Sequence, residues 1–189
     1  MLDHFNLLAP IYDRVIQPKP PDRLTQLLKL EPGCDLLDVG GGTGRITQYF
    51  VGSCRQVILV DTSLKMLQKS QEKKGLIQIN GASEVLPFPD ESFGRILMVD
   101  ALHHVFNQIQ TAQELWRVLK PGGLIVIEEP DINTFGVMLI ALAEKITLMR
   151  SHFLSAGEIE DLFTALSQEV QVVKEDHFVW VCVKKPVIE

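Results

Sequence analysis

A chain of 189 residues with 46% hydrophobic and 22% charged residues is long enough to bury one substantial core and short for two. Its formal net charge of -6 argues against a protein that grips nucleic acid by its phosphates, and no basic run offsets it. Cys34, Cys54 and Cys182 lie far apart with no CxxC, which speaks against a disulfide framework or a zinc site and makes a reducing cytoplasm the expected location. With Asp3 and His4 near the start, no signal-peptide pattern is visible. The expectation is a single domain over residues 1–189.

In chain order, residues 36–39 read as a strand and 44–51 as a short helix. Val57-Ile58-Leu59-Val60-Asp61 is a buried strand ending on a carboxylate. Residues 63–72 follow as a helix, with Leu64 and Leu67 on one side and Lys65, Lys69 and Lys73 on another. Residues 76–80 and 95–99 give a third and a fourth strand. A helix over 109–119 is stopped by Lys120-Pro121-Gly122-Gly123, since proline cannot continue it and glycine suits the turn. Residues 124–127 are a fifth strand, and such continuous apolar runs belong to strands covered on both faces. Residues 135–149 are strongly apolar but interrupted by Glu144 and Lys145, and fall short of the roughly 20 apolar residues of a membrane-spanning helix. They read as a buried or lid helix, or as a surface for a lipophilic substrate or a second subunit. After a helix over 156–166, strands at 170–173 and 178–183 are too close for a helical crossover and should form an antiparallel hairpin. The expected fold is α/β: a Rossmann-like doubly wound sheet, mostly parallel, with a C-terminal antiparallel hairpin.

The stretch Asp38-Val39-Gly40-Gly41-Gly42-Thr43-Gly44 carries the functional reading. A strand-end carboxylate followed by a turn almost without side chains lets a bulky ligand rest against backbone. A dinucleotide turn needs G-x-G-x-x-G, but here Arg45 stands where the third glycine belongs, giving G-x-G-x-G. Asp61 ends the next strand, where a carboxylate can bind a ribose diol. Asp38 would repel a pyrophosphate and attract an ammonium group. An adenosine ligand carrying an amino acid, S-adenosylmethionine, fits both facts.

Six motifs in order then resemble a known family. They are Phe5-Asn6-Leu7-Leu8-Ala9-Pro10-Ile11-Tyr12-Asp13, Leu37 to Gly44, Val60-Asp61-Thr62-Ser63 with Met66-Leu67, and Leu86-Pro87-Phe88-Pro89-Asp90-Glu91-Ser92-Phe93. Leu102-His103-His104-Val105 and Glu114-Leu115-Trp116-Arg117-Val118-Leu119-Lys120-Pro121-Gly122-Gly123 complete the set. Together they resemble the class I (seven-stranded) S-adenosylmethionine-dependent methyltransferases, in particular the ubiquinone/menaquinone methyltransferase branch. The resemblance implies that Asp38 and the backbone of Gly40, Gly41, Gly42 and Gly44 hold the methionine end of the cofactor. It implies that Asp61, with Thr62 beside it, takes the ribose hydroxyls and that Met66 packs near the adenine. Tyr12 would sit in an N-terminal lid within residues 1–30, and residues 131–153 would be a substrate-side insertion.

Two positions depart from the family's pattern. Gly-Asp-Ala-Glu after the third strand reads Gly81-Ala82-Ser83-Glu84, so the adenine carboxylate is replaced by Ala82, leaving Ser83 or a backbone carbonyl to accept that hydrogen bond. The Arg-Asn pair of quinone methyltransferases is replaced by His103-His104. These two histidines, with Tyr12, are the candidate catalytic groups, and as chain neighbours at most one should face the substrate. Glu128-Glu129-Pro130-Asp131 reads as a solvated loop or substrate rim, and no metal is expected. The expected activity is methyl transfer to a small, possibly apolar acceptor, with S-adenosylhomocysteine as product. The alternatives are a catalytically weak or inactive protein that binds these ligands and a nicotinamide-dependent oxidoreductase, which the glycine spacing and terminal hairpin disfavour. Neither nucleic acid nor an integral membrane segment is expected.

Overall fold

The apolar runs line up as one sheet in the computed structural model, which describes residues 20–134, 137–138 and 151–187. Its strands are β1 (Asp35–Val39), β2 (Gln56–Asp61), β3 (Leu76–Asn80), β4 (Phe93–Val99), β5 (Leu119–Pro130), β6 (Val170–Glu175) and β7 (Phe178–Lys184), ordered β3-β2-β1-β4-β5-β7-β6. β1 to β5 pair in parallel, whereas β7 runs antiparallel to both β5 and β6. This is the expected doubly wound sheet with its terminal hairpin.

Side chains alternate between two cores because strand residues alternate faces. Leu36, Val57, Leu59, Leu97 and Val126 point to one core, where α1 (Asp22–Leu28) adds Leu24 and Leu28 and α2 (Leu64–Ser70) adds Leu67. Leu37, Ile58, Val60, Ile96 and Ile125 point to the other, covered by Leu115 of α3 (Gln108–Val118) and Phe163 of α4 (Ala156–Thr164). Leu115 is fully buried, so Leu115→Ala would cost about 2–5 kcal/mol. Local chemistry fixes the helix starts. Ser63 caps α2 by accepting from Met66 N, Asn107 caps α3 by accepting from Gln110 N, and Ser155 with Glu158 forms a capping box on α4.

Two elements differ from the sequence expectation. Residues 44–51 form a 3-10 turn (Thr47–Phe50) rather than an α-helix. Hydrogen bonding slips from Gln48 N to Gly44 O (3.1 Å) to the tighter Tyr49 N to Ile46 O (3.1 Å). Ile46 and Thr47 are β-branched and weak in helices, and the Thr47 hydroxyl is drawn aside to Asp38. The second difference concerns β5, which begins at Leu119 and extends to Pro130. Residues 120–123 bulge out between the Phe93–Leu119 and Arg95–Leu124 pairs. Pairing with β7 carries the far end on to Pro130, so Glu128 and Glu129 lie in the sheet rather than in a solvated loop.

Sheet order places the topological switch between β1 and β4, which run side by side while their connections leave toward opposite edges. Beyond the carboxyl ends of these strands the loops diverge, and a crevice is left there.

Candidate functional site

A cavity of about 440 Å³ opens at that switch point. From the β1 side come Asp38, Gly40, Gly41, Gly42 and Arg45; from β2, Asp61, Thr62 and Met66; from the β3 turn, Gly81, Ala82, Ser83 and Glu84; from β4, Asp100, Ala101, His104 and Phe106.

Asp38 is the most unusual of these. It is buried, with one carboxylate oxygen accepting from the Thr47 hydroxyl. The other, Oδ1, is buried without a hydrogen-bond partner among the described residues. Burial, aided by the nearby charge of Asp61, pushes its carboxyl up to about 7, against the opposing pull of Thr47 and Arg45. A buried carboxylate oxygen without a partner costs stability unless a cation meets it, and Asp38 lines the cavity.

The four glycines are required for different reasons. A Cβ on Gly40 would meet Ala101 Cβ at 2.7 Å, one on Gly41 would meet Asp38 Oδ2 at 2.6 Å, and one on Gly44 would meet Leu76 Cδ1 at 2.7 Å. Those three are small because protein atoms crowd them. Gly42, with φ +56, has no atom of the other described residues beyond its chain neighbours closer than Asp61 Oδ2 at 4.0 Å, and it lines the cavity. Gly44 does not line the cavity. It shapes the turn from behind.

Asp61 ties two loops together. Its Oδ2 accepts from Gly42 N at 2.9 Å and its Oδ1 from Ser63 N at 2.7 Å. A carboxylate oxygen has more than one acceptor direction, so hydroxyl groups in the cavity can still reach it. Met66 is buried yet lines the cavity, acting as core and wall together.

At the β3 end the polar groups are already committed. The Ser83 hydroxyl lies 3.0 Å from that of Thr111 and donates to Glu84 Oε2 at 3.1 Å. Glu84 Oε1 accepts from Phe106 N and Asn107 N at 2.9 and 3.2 Å. Ala82 presents only a methyl group there. The Ser83 hydroxyl thus has two protein partners while Ser83 still lines the cavity.

The two histidines diverge. His103 is buried, its Nδ1 2.5 Å from Glu129 Oε2 and its ring stacked on Phe153 at 4.1 Å. Glu129 Oε1 accepts from Ala101 N at 2.9 Å and Leu102 N at 2.7 Å. One buried carboxylate therefore organises the loop after β4, and His103 belongs to that frame rather than to the cavity. His104 lines the cavity, and its Nδ1 is 3.3 Å from Ser151 Oγ. Burial and the neighbouring His103 push His104 down to about 3, so its ring is neutral across the ordinary pH range.

Tyr12 lies outside the described residues, as do residues 135–149 save Val137 and Met138. Glu128, read from sequence as part of a solvated loop or substrate rim, accepts from Trp180 Nε1 at 2.6 Å, and burial raises its carboxyl. Asp131 caps the following turn by accepting from Asn133 N at 3.0 Å. No cluster of metal-ligating side chains occurs among the described residues. Nor is any helix among them long and apolar enough to cross a membrane. Sequence reasoning missed Arg45 and Thr47 as parts of the site and the inward role of Glu129. A residue next to a glycine turn is a visible signal, but the Glu129–His103 contact spans 26 positions and leaves no local trace.

Residues 37–127 match the family model described as a methyltransferase domain. The ubiquinone/menaquinone biosynthesis C-methyltransferase UbiE of Shewanella pealeana is 38% identical over 108 residues, covering 52% of this chain and 43% of that protein. The protein of the same name from Legionella pneumophila is 33% identical over 120 residues, covering 58% and 48%. Each match therefore spans less than half of the relative's length. A SAM-dependent methyltransferase from Aquifex aeolicus superposes with TM-score 0.74 at 17% identity, covering 97% of this chain and 99% of that one. The [4+2]-cyclase SpnF superposes with TM-score 0.77 at 16% identity, covering 98% and 95%. These last two likenesses are of fold, and one fold here carries two chemistries.

Proposed function

We propose that the chain, whose residues 37–127 match a methyltransferase domain, is a single class I S-adenosylmethionine-dependent methyltransferase domain that methylates a small, apolar acceptor. The observation that carries this reading is that Asp38, whose Oδ1 is buried without a hydrogen-bond partner among the described residues, lines one cavity with Asp61. An amino-acid ammonium suits the first carboxylate and a ribose diol the second. Gly42, whose missing Cβ meets none of the described residues closer than 4.0 Å, lets the ligand approach backbone between the two. Met66 and Ala82 supply the apolar wall for a flat base.

The cofactor supplies a methyl group already activated on a sulfonium, for in-line displacement by the acceptor. The chain's residues have to align the two reactants and keep water out. Val105 and Phe106 sit at the cavity rim, and Phe106 is 87% exposed, an apolar lip suited to a hydrophobic acceptor. His104 stays neutral and is a weak base, so its role is to position an acceptor by hydrogen bonding rather than to abstract a proton. The acidic balance of the chain supports a small molecule over a nucleic acid.

The test is incubation with S-adenosylmethionine and a panel of phenols, quinols, amines and thiols, reading release of S-adenosylhomocysteine and mass of the product. Equimolar release and methylated product with an apolar acceptor are expected. Ligand binding without turnover on any acceptor would move the chain to the binding-protein reading. Tight NAD binding with no S-adenosylmethionine binding would remove the methyltransferase reading altogether.

A further inference from the structure

Cys34, Cys54 and Cys182 are far apart in the chain, yet the sheet brings the first two together. Cys34 immediately precedes β1, and Cys54 stands just before β2, whose parallel register with β1 starts at Asp35 opposite Gln56. The ladder continues one step outward from that pair, where Arg55 N donates to Cys34 O at 2.8 Å. Both side chains turn to the same core. Cys54 is buried there with Leu36, Phe50 and Val57, and Cys34 packs against that cluster half-buried. The two thiols are hydrogen-bonded to each other. Neighbouring backbones, side chains on one face and paired sulfurs are what a disulfide between adjacent strands requires.

The two sulfurs are not equivalent. Burial and the neighbouring Cys34 push the Cys54 thiol up to about 12, so Cys54 stays protonated and the more open Cys34 is the sulfur that a small reagent reaches first. Placement gives the pair a consequence. Between Cys34 and Cys54 lie β1, Asp38, the glycine turn and Thr47, which is the whole β1 side of the cavity lining. The cysteines themselves stand before the amino ends of β1 and β2, at the opposite end of the strands from the cavity. A bond there closes residues 34–54 into a ring without obstructing the ligand, and restricts that loop whenever it opens.

We propose that Cys34 and Cys54 form a reversible, redox-sensitive disulfide that staples the ligand-binding turn at its base. Cys34 loses its proton to water, and its thiolate attacks one sulfur of a small disulfide such as oxidised glutathione, expelling one glutathione thiolate. The expelled thiolate takes the Cys54 proton. Cys54 sulfur then displaces the second glutathione from Cys34, and that thiolate is protonated by water. Two protein thiols are oxidised and one glutathione disulfide is reduced to two thiols. A thiol pair of this kind suits a bond that comes and goes with redox conditions rather than a permanent framework. Neither the contact nor the chemistry depends on which ligand the turn holds.

The test is incubation of the reduced full chain with oxidised glutathione, alkylation of the remaining thiols after denaturation, and peptide mapping by mass. One bond from Cys34 to Cys54 is expected, with Cys182, buried in β7, recovered in alkylated form. The thermal midpoint should rise by about 5–10 °C on oxidation and return with dithiothreitol. Cys34→Ser should abolish both the bond and the rise, and Cys182→Ser should keep both. Mapping of the wild type decides the pairing even where a variant fails to fold. Glutathione retained on Cys34 as a stable mixed disulfide, a bond that includes Cys182, or three alkylated cysteines after oxidation overturns the pairing. A Cys34–Cys54 bond that leaves the midpoint unchanged overturns the staple.

Discussion

The two ends of the cavity are built on opposite plans. At the β1–β4 end, charge is held ready: Asp38 keeps an orphaned, buried oxygen, and Arg45 holds Asp100 loosely. At the β3 end the polar groups are satisfied internally, Ser83 by Thr111 and Glu84 by two backbone N–H groups, and Ala82 offers a methyl. The first end stores unfavourable free energy for a charged group to relieve, whereas the second offers shape and apolar contact. Affinity and selectivity should therefore reside mainly at the β1–β4 end.

Asp38→Asn should break this contrast most severely. It removes the anion while its amide oxygen can still accept from Thr47, so S-adenosylhomocysteine affinity should fall by about 100-fold or more. In the wild type, a carboxyl raised from 3.8 to about 7 holds an extra proton in the folded state across that window. The contribution of this group to stability then falls as pH rises from about 4 to 7, because the folded state binds more protons than the unfolded one. Ligand affinity should do the reverse, weakening by up to about tenfold per unit as pH drops below 7, since the ammonium needs the ionised form. Asp38→Asn should flatten both slopes, as read by thermal unfolding and calorimetry across pH. An unchanged affinity in the variant would sink the charged-end account.

Asp61→Ala ranks next. It deletes the expected ribose acceptor and also the bonds to Gly42 N and Ser63 N. Affinity for both S-adenosylhomocysteine and 5′-methylthioadenosine should fall by roughly tenfold or more, with about 1.5–3 kcal/mol lost from denaturant-measured stability. Loss of one ligand's binding but not the other's would contradict the ribose role. Ala82→Asp works at the quiet end and should gain only several-fold, because one hydrogen bond to a neutral amine is modest. A gain above a hundredfold would show that the adenine end dominates. The smallest effect concerns His104. Pushed down to about 3, its ring should show no NMR titration between pH 5 and 8, and an inflection near 6.5 would restore it as a general base.

Much of this was written locally in the chain. The apolar runs at 36–39, 57–61 and 124–127 are continuous because those strands are covered on both faces, and the short 174–177 gap could only be a hairpin. Asp38 and Asp61 were legible because a strand end next to glycines is a sequence feature. What escaped notice depended on distant contacts. Gly44 looked like ligand-facing backbone, but its missing Cβ makes room for Leu76, a neighbour that only the β2–β3 packing supplies. Glu129 looked exposed until the β5–β7 ladder carried it inward to the Ala101 and Leu102 amides. Thr47 looked like one more helix residue, but its hydroxyl bonds Asp38 and the helix is not formed.

A crystal structure of the full chain with S-adenosylhomocysteine bound is the most direct check of the central claim. The account predicts the amino-acid group at Asp38, the ribose at Asp61 and the adenine against Met66 and Ala82. A ligand bound in the reverse direction, with adenine at Asp38, or bound elsewhere, would contradict it.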